Sequence, residues 1–372
     1  MRRIDEFEGL RGMMALWVVL GHVSNSLAWT VPAPLPRNLS GRSAVDVFII
    51  LSGFVITLLL LNKREPYRPY LVRRVFRLYP VYVVCLAGSV ALMGVARTAL
   101  QLAPATPATA GRLRMLGDGG EHLWTHLAVH LTLLHGLFDR VLDNASFALL
   151  GQAWSVSVEF QFYLIAPAVI AALWRRNVPA MLVTVAFLAG LVVVAGVSRM
   201  GSMPAHLALF ALGIAYCHLW RRLGSGASGW GVWHVRLLSA LVLAAGWWWM
   251  QRPSALLVWV VAAHAVLARA VADSGAAAPE AGVAWVLRSR PALWLGQISY
   301  SVYLSHMLVL YPALFALAKL GASEVTQAVA LPMLVVSGTL VLSRLLYVWV
   351  ERPFIGHGSR VAARFDPQPS RV

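Results

Sequence analysis

Charge is scarce in this chain. Only 12% of its 372 residues are Asp, Glu, Lys or Arg, about half of what a soluble domain of this size carries. Acidic residues are scarcer still, 15 against 31 basic ones, which leaves a formal charge of +16. Cysteine is nearly absent: Cys85 and Cys217 each sit inside an apolar run, in no spaced motif. That excludes a disulfide framework and a Cys-based zinc site. A Cys in such surroundings is a small hydrophobe, since a reactive thiolate needs an electropositive, accessible setting. There is no internal repeat and no soluble-looking block. A cleavable signal peptide is not expected either, because the first apolar run carries Arg11 and His22 and no small-x-small site follows it.

Long apolar runs fill the space. Hydrophobic residues make up 59% of the chain, mean hydropathy is +0.70, and a bilayer core needs roughly 20 apolar residues per spanning helix. The expected fold is all-α and polytopic, with about ten transmembrane helices near 11–30, 44–61, 76–96, 155–174, 178–196, 205–220, 235–250, 255–272, 293–318 and 326–350. The net charge could suggest nucleic acid, but the Arg residues cluster at the ends of apolar runs: Arg73-Arg74, Arg175-Arg176, Arg221-Arg222, and Arg288 with Arg290. Such clusters mark cytoplasmic loops and face anionic headgroups. With Arg2 and Arg3 inside, alternation places these clusters and both termini in the cytoplasm. The expected organisation is one membrane domain over 1–355 and a short, disordered cytoplasmic tail over 356–372.

The stretch 97–153 interrupts the pattern. Its first part, with Pro104, Pro107 and Gly111, reads as external loop. Its later part, from Glu121 to Phe138, is apolar but studded with His, and reads as an interfacial or re-entrant helix. His122, His126 and His130 recur every four residues, so one helix face could bind metal. The plainer reading is the wet face of an interfacial helix, and no metal is assigned.

Ionisable groups inside spans are costly, and are functional candidates by default. Asp46 and Glu159 are the acidic residues that fall clearly within spans, and His22 and His306 lie in the first and ninth. Alternation puts the two carboxylates toward the outer side and the two imidazoles near mid-membrane. Arg11 and His22 are about 16 Å apart along a helix, on nearly the same face. Arg74 and Arg77 share a face at the inner end of the third span. Arg forks suit phosphate oxygens, although such residues also anchor helix ends in headgroups.

These residues resemble a known pattern. Ile4-Asp5 and Leu10-Arg11-Gly12 lead to His22. Val45-Asp46-Val47-Phe48 precedes Leu51-Ser52-Gly53-Phe54, and Arg73-Arg74 precedes Arg77 and Pro80. Trp154-Ser155-Val156-Ser157-Val158-Glu159 comes before Phe162-Tyr163. Leu295-Gly296, Ile298-Ser299-Tyr300-Ser301 and Tyr303-Leu304 come before His306, and Glu351-Arg352-Pro353 closes the series. In this order, almost end to end, they resemble the membrane-bound acyltransferase 3 family, which includes O-antigen and exopolysaccharide O-acetyltransferases. The resemblance implies ten spans with both termini inside, an essential His22 preceded by Arg11, and a required Arg74/Arg77 pair. One departure is Phe160, where relatives often carry a second acid or polar residue.

The expected activity is transfer of an acyl group, most simply acetyl, from cytoplasmic acyl-CoA to a hydroxyl of a glycan or glycosylated acceptor at the bacterial cytoplasmic membrane. His22 is the candidate general base, with Asp46 or Glu159 fixing its tautomer. Arg11, Arg74 and Arg77 are candidates for acyl-CoA, and Ser52, Tyr303 and His306 for substrate contacts. Acyl-CoA serves as donor substrate, with no bound cofactor. The alternative acceptors are a macrolide, a lipid or a peptidoglycan sugar. The rival from another class is a transporter or flippase, which would also need buried charge at mid-membrane.

Overall fold

A hydrocarbon environment offers no partner for free N–H and C=O groups, so long apolar runs are expected to close their hydrogen bonds within helices. The computed structural model is all-helical and describes residues 4–27, 41–63, 65–195, 200–225, 231–249, 253–271 and 278–365. Helices α1 (Asp5–Ser26), α2 (Gly41–Asn62), α3 (Tyr67–Ala91), α4 (Met93–Leu102), α5 (Pro107–Glu121), α6 (Leu123–Leu131), α7 (Trp154–Arg175) and α8 (Val178–Ala195) are followed by α9 (Leu207–Gly224), α10 (Val232–Trp249), α11 (Pro253–Val271), α12 (Ala278–Leu287), α13 (Arg290–Lys319), α14 (Glu324–Leu346) and α15 (Arg352–Ala363). Among the described residues, seven helices are long and apolar enough to cross a membrane, and two shorter apolar helices lie within α8 and α10. Among the described residues each expected span overlaps a helix, although 76–96 crosses the break between α3 and α4 at Leu92; the first, on α1, carries Asp5, Glu6 and Glu8 in its first turn. The protein is a polytopic membrane protein.

Three expectations need correction. The stretch with Pro104, Pro107 and Gly111 is largely helix α5. Pro107 stands at its first turn, where no N–H is needed, and Thr106 and Thr109 cap it reciprocally. From Glu121 to Phe138 the chain forms the nine-residue α6 and a 3₁₀ turn, His135–Leu137, too short to span a bilayer, which leaves the interfacial or re-entrant expectation standing and overturns only the face. The α6 histidines are not its wet face: His126 and His130 are fully buried while His122 is exposed. Finally, the tail expected to be disordered begins as helix α15, which packs against α3, with Gly358 pressed on Phe76. The rest of that tail, 366–372, lies outside the described residues.

The chain forms two compact units. The first comprises Met1–Asn25, Ala33–Leu58 and Ala208–Tyr300; the second comprises Ser26–Pro32, Leu59–Leu207 and Ser301–Val372. In the first unit, helices approach through glycine, the usual device where no hydrophobic force drives helices together in lipid. A Cβ on Gly12 of α1 would strike the backbone of Gly296 on α13, and one on Gly53 of α2 would strike that of Phe210 on α9. Both glycines lie in the stretches that carried the resemblance. An aromatic knot fills the interior: Phe7 meets Phe54 edge-on at 4.8 Å and stacks on the buried Trp259 at 5.3 Å. Arg269 pairs with the buried Glu6. In the second unit, α3 packs on α7 and α15, α7 packs on α8, and α4 packs on α5.

Candidate active site

Helix α7 brings Ser155, Glu159 and Tyr163 onto one face by their four-residue spacing. The Tyr163 hydroxyl donates to Glu159 Oε1 at 2.5 Å. The Arg74 guanidinium of α3 lies over the Tyr163 ring, 5.8 Å from its centroid, a cation–π arrangement. Arg74 and Glu159, two of the candidates, thus share one tyrosine. Farther up α7, Ser155 Oγ lies 2.7 Å from Tyr303 Oη, and Tyr303 donates to the Gln152 carbonyl at 2.5 Å. Gln152 in turn donates to the Leu304 carbonyl at 2.6 Å. His306 is fully buried, and its Nδ1 donates to the Tyr303 carbonyl at 2.8 Å. That bond fixes Nδ1 as a protonated donor nitrogen.

Three arginines in the first half of α3 meet different fates. Arg73 pairs with Glu65. Arg77 donates to Glu351 Oε1 at 2.5 Å, and Ser301 Oγ donates to Glu351 Oε2 at 2.6 Å. Glu351 is buried, at the end of a π-helical turn, Tyr347–Glu351, that links α14 to α15. Widened turns of this kind recur at functional sites. Arg74 has neither a hydrogen-bond nor an ion-pair partner among the described residues, and its Nε is buried. A guanidinium so placed is complementary to an incoming anion.

The remaining candidates lie in the first unit. Arg11 is ion-paired with Glu8 of its own helix at 3.8 Å. His22 is half-buried near the end of α1, and Asp46 is buried in the second turn of α2, two turns ahead of the half-buried Ser52. Glu159, Arg74, Arg77, Tyr303 and His306 belong to the second unit. Within the second unit, Arg112 of α5 donates to Ser26 Oγ at 2.9 Å.

Sequence reasoning overlooked three participants. Tyr163 stood in a quoted motif without a role, although four residues from Glu159 is a contact distance on a helix. Gln152 carried no signal. Glu351 also stood in a motif, but its partner is 274 positions away. A separate group surrounds the α6 histidines. His130 stacks on His135 at 4.2 Å, and Tyr82 donates to the His130 carbonyl at 3.0 Å. Burial pushes the His130 imidazole down to about 4 and that of His135 well below its ordinary value, so both stay neutral near pH 7.

Comparison with known proteins bears on this arrangement. The acyltransferase 3 family model, an acyltransferase domain, matches residues 4–348. The chain is 26% identical over 402 aligned residues to Acyltransferase MdmB of Streptomyces mycarofaciens, covering 98% of this chain and 96% of that one. No solved structure matches it.

Proposed function

The chain belongs to the acyltransferase 3 family, and from that premise we propose that it is an O-acyltransferase moving an acyl group, most simply acetyl, from acyl-CoA to a hydroxyl of a glycan or glycosylated acceptor. Its setting is the bacterial cytoplasmic membrane, with both termini inside, as the Arg clusters favour. In the reaction the thioester C–S bond breaks and an ester C–O bond forms. The hydroxyl proton passes to neutral His22 as attack begins and then to the departing CoA sulfur. Asp46, which belongs to the same compact unit as His22, holds the imidazole in its tautomer and stabilises the imidazolium, while Glu159 acts within the second unit through Tyr163.

The observation that carries this reading is Arg74. A guanidinium without a carboxylate partner, beside a carboxylate-bound tyrosine, suits a phosphate-bearing donor. Arg11 adds positive charge along the first helix. Arg77 acts one step behind: held by Glu351, it fixes the stretch of α3 on which Arg74 sits. Ser52, Tyr303 and His306 are proposed as contacts to substrate, the last two through the chain of hydrogen bonds that runs from Gln152 to Leu304.

The test is release of free CoA from acyl-CoA by purified protein, for wild type, His22→Ala and Arg74→Ala. Loss of a general base should lower kcat by about 100- to 10,000-fold in His22→Ala. Arg74→Ala should need far more acyl-CoA to reach the same rate. If the three proteins turn over alike, His22 is not the base; if none binds acyl-CoA, a transporter becomes the better reading.

A further inference from the structure

A second polar network lies wholly within the first unit, among α10, α11 and α12, and contains none of the residues discussed above. Ser239 Oγ donates to His264 Nδ1 at 2.9 Å, and His264 Nε2 donates to Glu280 Oε1 at 3.1 Å. Arg236 Nε donates to the same oxygen at 3.0 Å. The order Ser, His, Glu resembles a nucleophile relay, but Ser239 is buried in the middle of a helix. Backbone N–H groups there are already bonded within the helix, so no oxyanion hole can form beside it. The network is better suited to binding.

It closes one end of a cavity of about 510 Å³ whose walls are otherwise apolar, with Leu243, Val260 and Val261 along its length. At the polar end two groups have capacity left. Glu280 is 4% exposed, and its Oε2 is buried with no hydrogen-bond partner. The Arg236 side chain is 40% exposed, and only its Nε is engaged among the described residues. The Arg236 hydrogen bond, with a further one from His264, holds the Glu280 carboxyl down at about 2, so it stays ionised. The two unused valences are therefore an anion acceptor and a cation donor, side by side. Trp233 and Trp285 stand 71% and 76% exposed on α10 and α12, as tryptophans do at the headgroup level of a bilayer.

We propose that this cavity binds an ethanolamine phospholipid, its phosphate on the terminal nitrogens of Arg236, its ammonium on Glu280, and one acyl chain along Leu243, Val260 and Val261. A zwitterion matches the paired charges. An anionic headgroup would meet Glu280 with like charge, and a choline headgroup has no N–H to offer it.

Native mass spectrometry of the full-length protein, purified in detergent and mixed with equal amounts of phosphatidylethanolamine, phosphatidylcholine and phosphatidylglycerol, tests this. The ethanolamine lipid should be retained about tenfold over choline, the worth of one hydrogen bond to a charged group. Glu280→Gln should erase that preference. Because Glu280→Gln removes a buried charge partner and could unfold the protein, Val261→Trp is the second variant: it fills the groove, leaves the polar network intact, and should reduce retention of the ethanolamine lipid. Equal retention of all three lipids, preference for phosphatidylglycerol, or unchanged binding in Val261→Trp would each overturn the proposal.

Discussion

Two arginines one turn apart on α3 sit in opposite surroundings. Arg77 is closed: Glu351 accepts its hydrogen bond, Ser301 satisfies the other carboxylate oxygen, and the π turn holds all of it in place. Arg74 is open: it faces an aromatic ring, and Glu159 beyond that ring is engaged by the tyrosine hydroxyl. The difference separates two jobs that sequence spacing had merged. A guanidinium paired with a buried carboxylate holds helices together, and that ion pair is costly to break. An unpaired one retains its charge for a ligand.

The contrast can be broken most directly through stability. Arg77→Ala leaves the Glu351 carboxylate buried without its cation, and should cost about 3–5 kcal/mol. Arg74→Ala strands no partner and should cost about 1 kcal/mol or less. Thermal unfolding in detergent reads both; equal losses would mean that Arg74 is also a structural residue.

Function should run the other way. Arg74→Ala is expected to raise the KM for acyl-CoA by about tenfold, the loss of one charge-assisted hydrogen bond, while kcat moves less. If kcat falls instead and KM holds, Arg74 acts on the reacting centre and not on the donor's phosphates.

A smaller change sharpens the Arg77 side. Ser301→Ala removes one donor from Glu351 and should cost about 1–2 kcal/mol, with acyl-CoA affinity unaltered. An unchanged unfolding midpoint would show that Arg77 alone satisfies the carboxylate.

The least effect concerns pH, at the Arg236–Glu280 ion pair. Glu280 is depressed from the ordinary glutamate range to about 2 by Arg236, so its folded form holds its proton less tightly than its unfolded form. Its stabilisation is therefore complete above the ordinary glutamate pKa and is lost as pH falls from there through about 2. Against Glu280→Gln, the wild-type advantage in unfolding midpoint should shrink across that window. A constant gap would assign the effect to packing.

Much of the fold was legible because hydropathy is a local property. Each expected span overlaps a helix among the described residues, and Gly12 and Gly53 of the recurring stretches mark where helices touch. The misreadings share a cause. Helix α5 was hidden by Pro107, which reads as a breaker in sequence and works as a helix start in structure. Helix α15 was hidden because its Gly-rich polar stretch is helical by virtue of packing on α3. The α6 histidines were placed on a wet face because periodicity gives a face but not its direction. The pairing of Glu159 with Tyr163 was within reach of helical spacing; the pairing of Arg77 with Glu351 was not.

By itself the sequence determined a helical membrane protein, its recurrent basic ends and the small set of polar groups inside it, because burial in lipid acts on each segment separately. Only the tertiary structure decided which of those groups are spoken for. Whether an arginine is a strut or a ligand site depends on a carboxylate hundreds of residues away, and Coulomb attraction at 2.5 Å depends on where the chain returns, not on its order.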